Sequence, residues 1–150
     1  MVRTPQLRVL VVEDNEDVGE MLALLLESMG CTVELRRDGR AGLTAGLSAT
    51  FDLAILDLGL PELDGFEVAT GLRAGPQGAD LTIVALSGYT QPEHVQRARA
   101  VGFDRHLAKP ISDSALRSIL RFAQRRRDRE STSSVETDRV DSDLGGDARG

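Results

Sequence analysis

Strand-like and helix-like segments alternate five times along this 150-residue chain, which predicts an α/β fold built on a five-stranded parallel sheet. Three observations carry that prediction. The strand candidates are short, nearly continuous apolar runs, as expected of strands buried on both faces. Segments patterned at helical spacing separate them, long enough for right-handed crossovers. Hydrophobic content of 41% and charged content of 28% are ordinary for a single globular domain of this length.

Leu7–Val12 is apolar apart from Arg8 and reads as the first strand. Asn15–Met29 carries Val18, Met21, Leu22, Leu25 and Met29 at helical spacing, and Gly30 is a natural stop. Thr32–Leu35 reads as the second strand. Gly39–Ala49 reads as a weaker helix, loosened by Gly42 and Gly46. Leu53–Leu56 is the third strand. Gly65–Arg73, with Phe66, Val68, Ala69 and Leu72, is a helix. Leu81–Leu86 is the fourth strand. Pro92–Val101 is a helix with proline in its first turn, where it is tolerated. Phe103–Leu107 is a short fifth strand. Asp113–Arg125 places Leu116, Ile119, Leu120 and Ala123 on one stripe and closes the fold. Five such units form the flavodoxin-like doubly wound (βα)5 arrangement, with strand order 2-1-3-4-5.

Residues 1–125 are therefore expected to form the domain, and 126–150 a disordered polar tail. Val135, Val140 and Leu144 are the only large apolar residues in that tail, too few to offset its ordering entropy. Its first residues, Arg126-Arg127-Asp128-Arg129, could be a nucleic-acid or membrane patch. The favoured reading is that they cap the last helix, where cations complement the dipole.

Acidic residues outnumber basic ones 24 to 18, giving a net charge of −6, which argues against nonspecific nucleic-acid binding. Cys31 is the only cysteine, so it forms no disulfide framework and is read as a small buried residue. No apolar run reaches about 18 residues, and the N-terminus lacks the apolar stretch of a signal peptide. The expectation is a cytoplasmic protein without a membrane span, a monomer or weak dimer.

Doubly wound sheets place their sites outside the C-terminal strand ends, where strand order reverses. Glu13-Asp14 follows the first strand, Asp57 the third, Ser87 the fourth and Lys109 the fifth. Lys109 is the only lysine; every other basic side chain is an arginine. A lysine ammonium is compact where a guanidinium is broad, so it suits a single phosphoryl oxygen. Three crowded carboxylates call for a neutralising hard cation, and Mg²⁺ with its preference for oxygen ligands fits. The set suggests phosphoryl transfer by positioning and electrostatics, with a carboxylate nucleophile. Taken singly, each residue has a plainer reading. Glu13-Asp14 could charge the start of the first helix, with Asn15 as its cap. Asp57 could begin a turn, and Ser87-Gly88 could be a loop. His94 is read as an exposed helix residue.

The stretches Val9-Leu10-Val11-Val12-Glu13-Asp14, Leu56-Asp57-Leu58-Gly59-Leu60-Pro61-Glu62-Leu63-Asp64-Gly65, Leu86-Ser87-Gly88-Tyr89 and Lys109-Pro110 resemble the receiver domain of two-component response regulators, over about residues 6–125. The resemblance implies Asp57 as phosphoacceptor and Glu13, Asp14, Asp57 and the Gly59 backbone carbonyl as Mg²⁺ ligands. It implies Ser87 and Lys109 as phosphoryl contacts and a cis bond before Pro110. It places Gly59 and Tyr89 beside the path of hydrolytic water, as modulators of the phosphorylated lifetime. One position departs from the family: His106 stands where Tyr or Phe usually forms a rotating switch, and imidazole is smaller and titrates near neutrality.

The function implied is a signalling phosphoacceptor rather than an enzyme. Its donor would be a histidine kinase or histidine phosphotransfer protein. Its output would be contact with an unknown downstream protein or onward phosphotransfer, with no nucleic-acid or membrane partner. Met1 and the tail favour a free-standing chain over a detached receiver of a hybrid histidine kinase, which some wording also resembles. An aspartyl-nucleophile phosphatase is the other alternative, but such enzymes commonly carry an acid two residues after the nucleophile, where this chain has Gly59. A flavin carrier is rejected: residues 13–17 are Glu-Asp-Asn-Glu-Asp, and tryptophan is absent.

Overall fold

The computed structural model describes residues 6–88 and 92–144, without the side chains of 92–95 and 130–144. Five strands alternate with five helices: β1 (Arg8–Val12), α1 (Glu16–Ser28), β2 (Thr32–Arg36), α2 (Gly39–Ser48), β3 (Leu53–Asp57), α3 (Gly65–Arg73), β4 (Thr82–Ser87), α4 (Pro92–Val101), β5 (Arg105–Ala108) and α5 (Asp113–Leu144). All four ladders are parallel, and the order is β2-β1-β3-β4-β5, as predicted.

Period-two alternation sends successive strand residues to opposite faces. Val9, Val11, Leu53, Ile55, Val84 and Leu86 pack against Leu22 and Leu26 of α1 and Leu116, Ile119 and Ala123 of α5. Leu10, Val12, Ala54, Leu56, Ile83 and Ala85 pack on the other side, against Ala45, Val68, Ala69, Leu72 and Ala98 of α2, α3 and α4. Burying each large side chain contributes about 1.5–3 kcal/mol. Cys31 is buried, as expected. Among the described residues, no helix is long and apolar enough to cross a membrane.

Local signals set the helix ends. The Asn15 Oδ1 accepts from the Val18 N–H at 3.0 Å and caps α1. Asp64 and Glu67 form a reciprocal capping box on α3. Gly30 takes φ 94° just beyond α1, a conformation that suits glycine. The reading of Gly42 and Gly46 as weak points needs correction. A Cβ on Gly42 would lie 2.5 Å from a Val12 methyl, and one on Gly46 would press into Leu72. The bare backbone is what lets α2 approach the sheet and α3.

The last helix does not stop at Arg125 but continues to Leu144. No glycine or proline interrupts residues 111–144. Arg126 and Arg127 therefore do not cap a helix end. Arg126 Nη2 donates to the Ala79 carbonyl at 2.8 Å, and Nη1 pairs with Asp104 at 3.0 Å. Arg127 Nη1 donates to the Gln6 carbonyl at 2.8 Å and pairs with Asp52 at 3.2 Å. Both arginines thus contact residues within 1–125.

These contacts belong to a polar layer under the N-terminal strand ends. Arg73 donates to the carbonyls of Gly78 and Leu81 at 2.6 Å each, to Gly102 at 2.6 and 3.0 Å, and to Asp104 Oδ2 at 2.8 Å. The same Asp104 oxygen accepts from the Ile83 N–H at 2.8 Å. This network ties the C-terminal ends of α3 and α4 to the starts of β4 and β5.

Candidate functional site

At the opposite edge, four strands end side by side and deliver the singled-out residues to one rim. Glu13 and Asp14 follow β1, Asp57 ends β3, Ser87 ends β4 and Lys109 follows β5. Parallel pairing aligns these ends, and backbone bonds continue the alignment. The Leu58 N–H donates to the Leu86 carbonyl at 3.0 Å, and the Lys109 N–H donates to the Ser87 carbonyl at 3.0 Å. Glu13 is held by its own N–H on the Arg36 carbonyl at 3.0 Å. Gly65 opens α3 against the Asp57 carbonyl, where a Cβ would collide.

One oxygen each from Glu13, Asp14 and Asp57 lies within 4.8 Å of the others. Glu13 is 1% exposed, Asp57 6% and Ser87 4%, while Asp14 faces solvent. Lys109 Nζ sits 2.9 Å from Glu13 Oε1 and 3.5 Å from Asp57 Oδ2. The Glu13 contact is an ion pair rather than a directed bond, because the buried Oε1 has no donor in hydrogen-bonding geometry. The other Glu13 oxygen accepts from the Asn15 N–H at 3.1 Å.

Burial and the neighbouring Asp57 carboxyl push the Glu13 pKa up to about 7, against the pull of Lys109 and the Asn15 N–H. Burial draws the Lys109 ammonium down, but Glu13 and Asp57 outweigh it and hold its pKa above the usual lysine value. Two strained features thus coincide: a carboxylate that resists ionising, and an oxygen with no directed donor. Three hard oxygen donors gathered at one point, one each from Glu13, Asp14 and Asp57, fit a divalent cation.

Gly59 donates its N–H to Asp57 Oδ1 at 3.0 Å, and a Cβ there would meet only that oxygen, at 3.7 Å. No side chain at residue 59 therefore shields or crowds Asp57. The Lys109–Pro110 bond is cis. His106 is exposed on β5, in register with Ala85, and its remaining burial lowers the imidazole pKa. Tyr89 lies outside the described residues, as does the side chain of His94. What the sequence reading missed is the pairing of Lys109 with Glu13 and Asp57; opposite charges on converging strand ends were the available signal.

A family model described as the response regulator receiver domain matches residues 9–121. The transcriptional regulatory protein RprY of Bacteroides fragilis is 34% identical over 130 residues, covering 84% of this chain and 54% of that protein. The chain thus spans about half the length of that relative. The chemotaxis protein CheY4 of Vibrio cholerae superposes with a TM-score of 0.76 at 32% identity, covering 79% of this chain and 99% of that one. The receiver domain of the sensor histidine kinase PA1611 of Pseudomonas aeruginosa, with a magnesium ion coordinated in its active-site cleft, superposes with a TM-score of 0.74 at 28% identity. That match covers 80% of this chain and 98% of the other. With the family matched across every strand but the first residue of β1, and across the acidic rim, this chain belongs to the response regulator receiver domains.

Proposed function

We propose that Asp57 accepts a phosphoryl group in a Mg²⁺-dependent reaction with a phosphohistidine of a histidine kinase or phosphotransfer protein. An Asp57 carboxylate oxygen attacks phosphorus, the P–N bond breaks, and the imidazole leaves, forming an aspartyl phosphate. Water later cleaves that acyl phosphate to inorganic phosphate and the free carboxylate. The observation that carries this reading is the Glu13, Asp14 and Asp57 oxygens within 4.8 Å of one another. When bound, Mg²⁺ would supply neutralising positive charge to this rim.

This chain's own residues do the rest. Glu13, Asp14, Asp57 and the Gly59 carbonyl would hold the ion. Ser87 donates to one phosphoryl oxygen. Lys109, charged at neutral pH, moves from Glu13 to another. The absence of an acid at Gly59 favours a signalling phosphoacceptor over a phosphatase that turns over outside substrates. We place this activity in the cytoplasm, with output by protein contact or onward transfer. Incubation with a small phosphodonor and Mg²⁺, followed by intact mass, should add one phosphoryl group. Asp57→Asn or EDTA should abolish the gain, and a gain that survives Asp57→Asn would overturn the assignment.

A further inference from the structure

Among the described residues, four polar side chains are buried: Glu13, Asp57, Ser87 and Thr82. The first three meet at the phosphoacceptor rim. Thr82 opens β4 at its other end and is 1% exposed. Period-two alternation sends it to the same side as Val84 and Leu86, which pack beneath α5. Its hydroxyl makes no hydrogen bond to any described residue. Burying a hydroxyl without a partner costs stability, and valine has nearly the same shape, suits a strand as well and carries no such cost. The dense network around Arg73 and Asp104 does not reach it.

Thr82 lines a cavity of about 200 Å³ between the base of the sheet and α5. Phe51 gives the cavity an apolar wall, and the exposed Thr50 and Asp80 stand at its edge. Asp52 and Arg127 complete the lining. Asp52 accepts from the Arg8 N–H at 2.8 Å and from Arg127 Nη1 at 3.2 Å, both on Oδ2, so its Oδ1 is left without a donor among the described residues. Asp80 has no ion pair among them. Arg127 is already engaged by Asp52 and by the Gln6 carbonyl at 2.8 Å. Two carboxylates against one occupied guanidinium leave the lining with an excess of negative charge. We propose that this cavity binds a small organic ammonium compound carrying a hydroxyl, of the amino-alcohol class. Its ammonium donates to Asp52 Oδ1 and Asp80, and its hydroxyl pairs with Thr82. One water would suffice for Thr82 alone, but the volume has room for about six waters or one organic molecule of that bulk. An anion fits less well, because both carboxylates face it. The site is independent of the phosphoacceptor reading, since it lies at the opposite end of β4 from Ser87.

The test titrates the isotope-labelled full chain with ethanolamine hydrochloride at neutral pH and follows backbone amide chemical shifts. The amides of residues 50–52 and 80–82 should move together, with half-saturation at about 1 mM. Propylamine has the same length but lacks the hydroxyl, and ethylene glycol lacks the ammonium; each should bind about tenfold more weakly. Thr82→Val should bind ethanolamine and propylamine alike, with an equal or higher melting temperature. Asp80→Asn, a surface change, should weaken both amines by about threefold and leave ethylene glycol unaffected. The proposal is overturned if potassium chloride at equal concentration reproduces the shifts, or if the preference for ethanolamine survives in Thr82→Val. Undiminished amine binding in Asp80→Asn would overturn it too, as would the lack of any shift at about 50 mM, which would leave only water on the Thr82 hydroxyl. Mass gain from a small phosphodonor, followed separately, should be unchanged in both variants, so a failure of one reading does not count against the other.

Discussion

At the edge where the strands end, Glu13 is buried with one oxygen lacking a directed donor, and three carboxylates converge on one point. At the edge where they begin, Arg73 uses three nitrogens on three carbonyls and one carboxylate, and Asp104 collects two arginines and a backbone N–H. Both edges bury charge, but only the second satisfies it. A buried polar group that is paired rigidifies its surroundings, whereas one that is not costs stability. The sheet therefore has a structural end and a reactive end, and substitutions at the two should have opposite signatures.

The largest expected effect is at the reactive end. Asp57→Asn should reduce phosphoryl incorporation to background while leaving the melting temperature equal or higher, because it removes one of three repelling charges. Intact mass and thermal unfolding in EDTA check the two halves. A large loss of stability would show that Asp57 is structural.

Arg73→Ala should do the reverse. It deletes every bond Arg73 makes at 2.6–3.0 Å and leaves the Gly78, Leu81 and Gly102 carbonyls short of donors. The side chain is 21% exposed, so screening is partial. A loss of about 2–4 kcal/mol is expected from urea unfolding. Phosphorylation well below the melting temperature should persist. A loss under about 0.5 kcal/mol would remove the contrast between the two ends.

How much of this contrast the sequence reveals depends on how local its causes are. The strands were legible because burial on both faces leaves apolar runs such as Leu53–Leu56. The rim was legible because each of its members directly ends or follows a strand, so topology alone brings them together. The basal network was not. Arg73 sits at the end of an ordinary helix, and its partners Gly102 and Asp104 are 29 and 31 residues away. Nothing near Arg73 distinguishes it from a solvated cation. Gly42 and Gly46 misled for a related reason: helix propensity is a local property, and the proximity of Val12 and Leu72 is not. The arginines after Arg125 read as a helix end because their composition changes there, yet composition does not stop a helix that meets no glycine or proline.

A smaller effect should appear in the pH dependence of the metal-free protein. The Glu13 pKa is about 7 when folded and near 4.5 when unfolded. Between those values the folded state keeps the proton that the unfolded chain releases, so stability falls as pH rises from about 4.5 to 7 and then levels off. The group's contribution should be about 1–3 kcal/mol. Glu13→Gln should flatten that fall in urea titrations with EDTA and weaken Mg²⁺ binding. An unchanged slope would mean another group sets it.

The smallest expected effect concerns where the structural end stops. Arg126 and Arg127 reach Ala79, Asp104, Gln6 and Asp52 from the fourth turn of α5, so the base of the sheet extends into a segment that reads as tail. These contacts are half-exposed and partly redundant, since Asp104 keeps Arg73 and Asp52 keeps the Arg8 N–H. A chain ending at Arg125 should therefore lose about 1 kcal/mol, or roughly 3–5 °C in melting temperature, relative to the full length. A chain ending at Arg129 should lose nothing measurable, because the residues beyond it are almost all polar and have little apolar surface to bury. Both truncations should keep Mg²⁺-dependent phosphorylation, which lies at the other end of the sheet. Equal melting temperatures for the two truncations would confine the structural end to Arg73 and Asp104. A drop for the longer one would instead place a stabilising contact after Arg129.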